Sequence, residues 1–133
     1  MIVMRKFKFF TIAEFERSSV AESKGIDNTI PFSLLDKAYY TLQCLDDIRE
    51  GYGKPIIITS GYRCQLLNDA VGGVSNSQHT KCEAADLRWD EGLFEFIRDN
   101  FEFDQLIAEA NSSTKWIHVS FKKKGKRNQV LTK

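Results

Sequence analysis

The sequence predicts an α+β domain, with helices packed on a largely antiparallel sheet. Three observations carry that reading. Helical periodicity dominates the first half of the chain, extended apolar segments dominate the second, and the two kinds of element do not alternate strictly enough for a parallel α/β sheet. The chain has 133 residues with 42% hydrophobic content and ten phenylalanines. A chain of this length buries roughly two-thirds of its unfolded surface, enough for a core without disulfides. With no internal repeat, low-complexity tract or linker, residues 1–133 read as a single domain expected to be monomeric.

The elements follow in order. Thr11-Ile12-Ala13-Glu14 matches a capping box and starts a short helix. Ser19-Val20-Ala21-Glu22 repeats the signal ahead of Gly25, a residue that tolerates a left-handed stop. The longest helix runs from Pro31 to about Glu50, because Leu34, Leu35, Ala38, Leu42, Leu45 and Ile48 recur at steps of three and four and Gly51 follows. Lys54-Pro55-Ile56-Ile57-Ile58-Thr59 is a β-branched run that predicts a buried strand, and it leads into Ser60-Gly61-Tyr62-Arg63. Both prolines, Pro31 and Pro55, thus fall at element starts.

Leu66 to Ala70 reads as a short helix closed by Gly72-Gly73, and a polar loop leads to His79. Glu83 to Arg88 predicts a strand, and Asp90 is the expected cap of a helix with Leu93, Phe94, Phe96 and Ile97 inward. Phe103–Ala110 and Lys115–Phe121 predict two strands joined through Asn111-Ser112-Ser113-Thr114 as a hairpin, and Gln129-Val130-Leu131 predicts a last strand.

Charge and cysteine usage narrow the function classes. The net charge is +1, yet six cations follow Phe121 with no acid among them, while thirteen cations face eighteen acids before it. A basic end of this kind draws an anionic polymer or is a solvated turn into the last strand, and the second reading is preferred. Few aromatics interleave with these cations, so nucleic-acid binding is not expected. No run approaches the ~20 apolar residues of a membrane span, and the charges of Met1-Ile2-Val3-Met4-Arg5-Lys6 come after the apolar stretch, unlike a secretory signal. Cys44, Cys64 and Cys82 are an odd number and are read as reduced thiols.

The chemistry concentrates in Ser77-Gln78-His79-Thr80-Lys81-Cys82-Glu83-Ala84-Ala85-Asp86 and in Trp116-Ile117-His118-Val119-Ser120. These segments hold both histidines of the chain. Two imidazole nitrogens and one carboxylate leave a tetrahedral Zn²⁺ an open position, which is the catalytic pattern rather than the structural one. Strand alternation puts Trp116, His118 and Ser120 on one face and Ile117, Val119 and Phe121 on the other. Ordinary alternatives exist: Asp86 as an ion pair with Arg63 or Arg88, and the histidines as hydrogen-bonded structural groups.

Ser60-Gly61-Tyr62-Arg63, Asn68, Val71-Gly72-Gly73, the Ser-x-His-x6-Asp block and Trp116-x-His118 closely resemble the zinc D-alanyl-D-alanine carboxypeptidase family, of Hedgehog-like fold, in its small single-domain phage and bacterial members. The likeness runs from about Phe10, through Gly25-Ile26-Asp27-Asn28-Thr29, to the end of the chain. It implies Zn²⁺ held by His79, Asp86 and His118, and hydrolysis of peptidoglycan stem peptides. The implied cleavage is at a terminal D-Ala-D-Ala bond or at an internal L-Ala-D-Glu-type bond. It also implies that Arg63 contacts substrate and steadies the oxyanion, and that Ser77 hydrogen-bonds substrate; the alternatives are an arginine that pins its turn and a serine that caps the His79 segment. Cys82 stands where the family pattern usually has glycine, and is read as packed rather than as a competing ligand. Synthesis in the cytoplasm and access to the wall after lysis or holin-type release complete the expectation.

One position departs from the pattern. Better-known members carry an acid three residues before the last histidine ligand, where this chain has Lys115. The nearest substitute is Glu109: if it pairs with Trp116, Ile107 faces His118 and Glu109 shares the face of His118, displaced diagonally by roughly 7 Å. A one-residue slip would turn it away. Glu83 and Asp104 are the fallback bases. A metal-binding but inactive recognition module is the alternative function.

Overall fold

The structure is a computed structural model that describes residues 6–133. The stretch 1–5, on which part of the reading of no secretory signal rests, lies outside the described residues. Five helices and a five-stranded sheet form the domain: α1 (Ile12–Glu16), α2 (Ser19–Lys24), α3 (Leu35–Tyr52), β1 (Ile58–Ser60), α4 (Gln65–Ala70), β2 (Ala84–Arg88), α5 (Leu93–Asn100), β3 (Gln105–Ala110), β4 (Lys115–Ser120) and β5 (Gln129–Thr132). The strand order is β1-β2-β4-β3-β5. Every pair is antiparallel except β3 with β5. The architecture is the α+β arrangement expected.

Alternation along the strands separates two faces. Ala85 and Leu87 of β2, Leu106 of β3, and Ile117 and Val119 of β4 enter one core with Leu42, Leu45 and Ile48 of α3, Leu93 and Ile97 of α5, and Phe15 of α1. Each fully buried aliphatic there contributes roughly 1.5–3 kcal/mol by leaving water. The opposite face carries Asp86, Ile107, Glu109, Trp116 and His118, and it opens on a cavity. The helices therefore brace the sheet from behind the cavity.

Local chemistry explains most boundaries and corrects several. Thr11 forms the capping box with Glu14, as read from the sequence. The second helix is capped by Ser18, not Ser19, because the Ser18 hydroxyl accepts from Ala21 N. The long helix opens with a 3-10 turn over Phe32–Leu34 and passes through Gly51 to stop at Gly53, whose φ is 75°. Gly51 serves packing rather than termination: a Cβ there would meet Phe96 Cζ at 3.1 Å, so that ring would have to shift by a few tenths of an ångström to admit one.

The run from Lys54 to Thr59 is not one buried strand. Only Ile58–Ser60 pairs, with a register irregularity, at the sheet edge, where Ile57 is 41% exposed. Pro55 has no N–H to offer a ladder, which suits it to an unpaired lead-in. Asp90 does not cap α5 with its side chain; its carboxylate accepts from Tyr52 OH, and Gly92 precedes the helix. The hairpin between β3 and β4 forms as expected, with Asn111 Oδ1 accepting from Ser113 N at 2.9 Å and Thr114 N at 2.8 Å. Among the described residues, no helix is long and apolar enough to cross a membrane.

Candidate metal centre

Strand pairing and a capped 3-10 turn bring His79, Asp86 and His118 together. Asp86 and His118 are direct partners in the β2–β4 pair, so both side chains leave the sheet on the cavity face. His79 comes from a 3-10 turn over Gln78–Lys81. Ser77 starts this turn by accepting from His79 N at 3.2 Å, and Cys82 ends it in the left-handed conformation at φ 60°. That φ is the reason a glycine suits position 82. Cys82 is nevertheless fully buried, burial pushes its thiol up to about 12, and it stands outside the ligand cluster. Packing, not ligation, is its place.

The ligand atoms of His79, Asp86 and His118 all lie within 4.8 Å of one another. Asp86 Oδ1 is 3.2 Å from His79 Nε2 and 3.1 Å from His118 Nδ1. Bonds of about 2.0 Å in a tetrahedral zinc site put neighbouring ligand atoms roughly 3.3 Å apart, so the spacing fits an ion.

Hydrogen bonding at His79 sharpens the fit. His79 Nδ1 is 2.7 Å from Gly61 O, and a carbonyl can only accept, so Nδ1 carries the proton. A neutral His79 then points the bare lone pair of Nε2 at the Asp86 carboxylate. Two acceptors facing each other repel, and either a second proton or a cation between them removes the conflict. Burial alone would raise the Asp86 carboxyl, but the hydrogen bond of His118, and that of His79 once Nε2 carries the second proton, override it and hold the group well below the usual carboxylate range.

The walls are equally ordered. Gly61 can have no side chain, since a Cβ would lie 2.2 Å from Phe15 O. Tyr62 N donates to that same carbonyl, and Asn28 holds the turn from the other side through Tyr62 O and Cys64 N. Arg63 is thereby fixed, with Nε 3.1 Å from Ser60 Oγ, Nη1 3.0 Å from Asn68 Oδ1 and Nη2 3.5 Å from Asp86 Oδ2. Gly73 is required for this packing, because its Cβ would come within 2.2 Å of Asn68 Oδ1. The guanidinium both pairs with Asp86 and lines the cavity. Ser77 also lines it, while its hydroxyl accepts in the cap of the His79 turn.

The proposed acids separate cleanly. Glu109 pairs with Trp116 and Ile107 with His118, the register that puts Glu109 on the cavity face, and Glu109 lines the cavity of about 490 Å³ above the cluster. Asp104 is fully buried and takes Arg127 Nε at 3.0 Å, Arg127 Nη2 at 2.6 Å and Gln78 Nε2 at 2.8 Å. These donors, Arg127 first, hold its carboxyl far below the ordinary range and leave it no freedom to shuttle protons. Glu83 pairs with Lys37 at 3.3 Å and lines a different cavity. Neither fallback faces the cluster. Lys115 lies 4.0 Å from the centroid of the Trp89 ring, a cation–π contact that occupies it outside the cavity.

Two features escape sequence reading. Gly61 orients His79 through its carbonyl, a backbone group no motif displays. Trp116 lines the cavity with its Nε1 buried and without an acceptor among the described residues.

No curated protein sequence matches the chain. Residues 8–120 match the family described as Peptidase M15, whose members are metal-dependent peptidases and whose span here takes in His79, Asp86 and His118, and the chain belongs to that family.

Proposed function

We propose that the chain is a zinc peptidase that hydrolyses peptidoglycan stem peptides, at a terminal D-Ala-D-Ala bond or an internal L-Ala-D-Glu-type bond. The observation that carries this reading is the convergence of His79, Asp86 and His118 on one open cavity that Arg63 and Glu109 also line. The donor set of two imidazole nitrogens and one carboxylate oxygen suits Zn²⁺. The ion supplies Lewis-acid polarisation of the scissile carbonyl and a lowered pKa for the attacking water.

The residues divide the remaining work. Asp86 is held ionised, as a ligand must be, and His79 is preset with Nε2 inward by the Gly61 carbonyl. Glu109 is the one carboxylate besides Asp86 among the described residues lining the cavity, and it takes a proton from water and passes it to the leaving amine. Arg63 is immobilised by Ser60, Asn68 and Asp86, and the hydrogens these bonds leave on Nη1 and Nη2 bind a peptide carboxylate or the developing oxyanion. Ser77 offers its hydroxyl to the peptide from the same wall, and Trp116 Nε1 is a donor in want of an oxygen acceptor.

Zinc-loaded protein incubated with purified peptidoglycan tests the reading through released amines. The expected result is new amino groups from stem peptides and none after His118→Ala. A zinc-loaded, folded protein that binds stem peptides but releases no amine would instead establish the inactive recognition module.

A further inference from the structure

The segment after Phe121 lies beyond the residues that match the family, yet it builds one wall of the site. β5 adds parallel to β3, and the turn before it is locked to the segment that enters β3 by Asn128 N to Phe103 O at 3.0 Å and Gln129 N to Asp104 O at 3.0 Å. This docking brings Arg127 and Lys133 to the cavity. Arg63 approaches the cluster from the β1 side, so the two arginines flank it on opposite sides.

Arg127 is a built group rather than a loose surface cation. Its backbone N and Nε both reach Asp104 Oδ1 at 3.0 Å, and its Nη2 reaches Oδ2 at 2.6 Å. Asp104 is 0% exposed and is held in turn by Gln78, the neighbour of His79. The fork leaves the remaining guanidinium hydrogens unused among the described residues, on a side chain that is 50% exposed at the cavity wall. Lys133 lines the same wall, set beside Glu109 by its N–H to Ala108 O at 2.8 Å, and makes no ion pair among the described residues, so its ammonium group adds a second cation to the side of the cavity where Arg127 has unused hydrogens.

Resting on the stem-peptide reading above, we infer that Arg127, seconded by Lys133, is a specificity-determining residue that binds a substrate carboxylate on the side of the metal cluster opposite Arg63. Asp104 is the positioning residue that aims it. The substrate class is accordingly a peptide that carries a free carboxylate displaced from the scissile bond towards β5, and amidation of that carboxylate is a modification the site discriminates against.

The test uses a set of stem pentapeptides in which each carboxylate in turn is replaced by carboxamide. Affinity is measured by calorimetry on the metal-free protein, and kcat/KM on the zinc-loaded protein. One carboxamide should weaken binding by roughly tenfold or more, the scale of a charge-assisted hydrogen bond. Arg127→Gln should abolish that preference while leaving the response to the other carboxamides unchanged. Because Arg127→Gln strands Asp104 in the interior, Lys133→Gln serves as the second variant; it leaves the Asp104 pair intact and should cut the same preference by about twofold. Full retention of the carboxylate preference in both variants overturns the inference. Cleavage without any Arg127-dependent preference defeats the inference alone, whereas an Arg127-dependent preference in binding without cleavage defeats only the hydrolase reading. Absence of binding to every peptide defeats both.

Discussion

Glu109 stands directly opposite Trp116 in the β3–β4 pair, and that register gives its carboxylate the same face of the sheet as His118. Glu109 lies on the neighbouring strand, two residues beyond the partner of His118, and is the residue proposed to stand in for the acid missing at Lys115. Glu109→Gln should keep zinc content and melting temperature but lower stem-peptide hydrolysis by about a hundredfold or more, the usual scale for a proton-transfer group. Lys115→Ala, which removes only the contact with Trp89, should change the rate far less. Equal rates for Glu109→Gln and the parent would end the assignment, since neither Glu83 nor Asp104 faces the cluster.

Metal stoichiometry is the most direct check on the cluster. Elemental analysis of untagged protein should find one Zn²⁺ per chain, and His118→Ala should lose it while remaining folded. A folded His118→Ala protein with full zinc content would show that the ion sits elsewhere.

Removal of metal should separate activity from structure. The core of Leu42, Leu45, Ile48, Leu87, Ile117 and Val119 lies on the far side of the sheet from the cluster, so it does not depend on the ion. Chelation should abolish hydrolysis and leave the far-ultraviolet circular dichroism largely unchanged. Collapse of that signal would make the ion a structural one.

The buried Asp104 predicts a specific acid sensitivity. Its carboxyl is depressed in the folded chain, so the stability it provides is present above the unfolded value of about 3.9 and is lost as pH falls towards the folded value. Asp104→Asn should cost on the order of 2 kcal/mol at pH 7, kept modest by the half-exposed Arg127, and the gap to the parent should narrow below about pH 4. Urea titrations at pH 7 and pH 3.5 measure both. A gap that stayed constant across that range would mean the carboxylate is not the source of the stability.

The legible parts of this protein were those written in short-range pattern. Alternation in Trp116–Phe121 and in Phe103–Ala110 set the two faces of each strand but left the register between them open; the register that forms puts Glu109 opposite Trp116, with Asn111 closing the hairpin locally. The capping box at Thr11 needed no long-range knowledge either, whereas the grouping of His79, Asp86 and His118 was suggested by the family resemblance and not by local pattern. What stayed hidden depended on partners far away in sequence. Gly51 lies inside the long helix with Phe96 packed on it, and Asp90 spends its carboxylate on Tyr52 OH rather than on a helix cap. The basic segment after Phe121 read as a solvated turn because nothing local marks Arg127 as the partner of Asp104, 23 residues away. Lys126 likewise departs from a purely solvated turn, pairing with Glu102 at 2.8 Å.

The left-handed turn at Cys82 sets how freely this part of the chain can drift over evolutionary time. A side chain at φ 60° carries a backbone penalty of about 1–2 kcal/mol, and the space around this one is already filled by the thiol. Glycine would remove the penalty but leave a void behind the turn; anything larger than the thiol would add overpacking to strain. Position 82 is consequently closed to most substitutions although its side chain stands outside the cluster, and the placement of His79 is protected by a neighbour that contributes its shape and the backbone N–H that closes the turn on Gln78 O and His79 O.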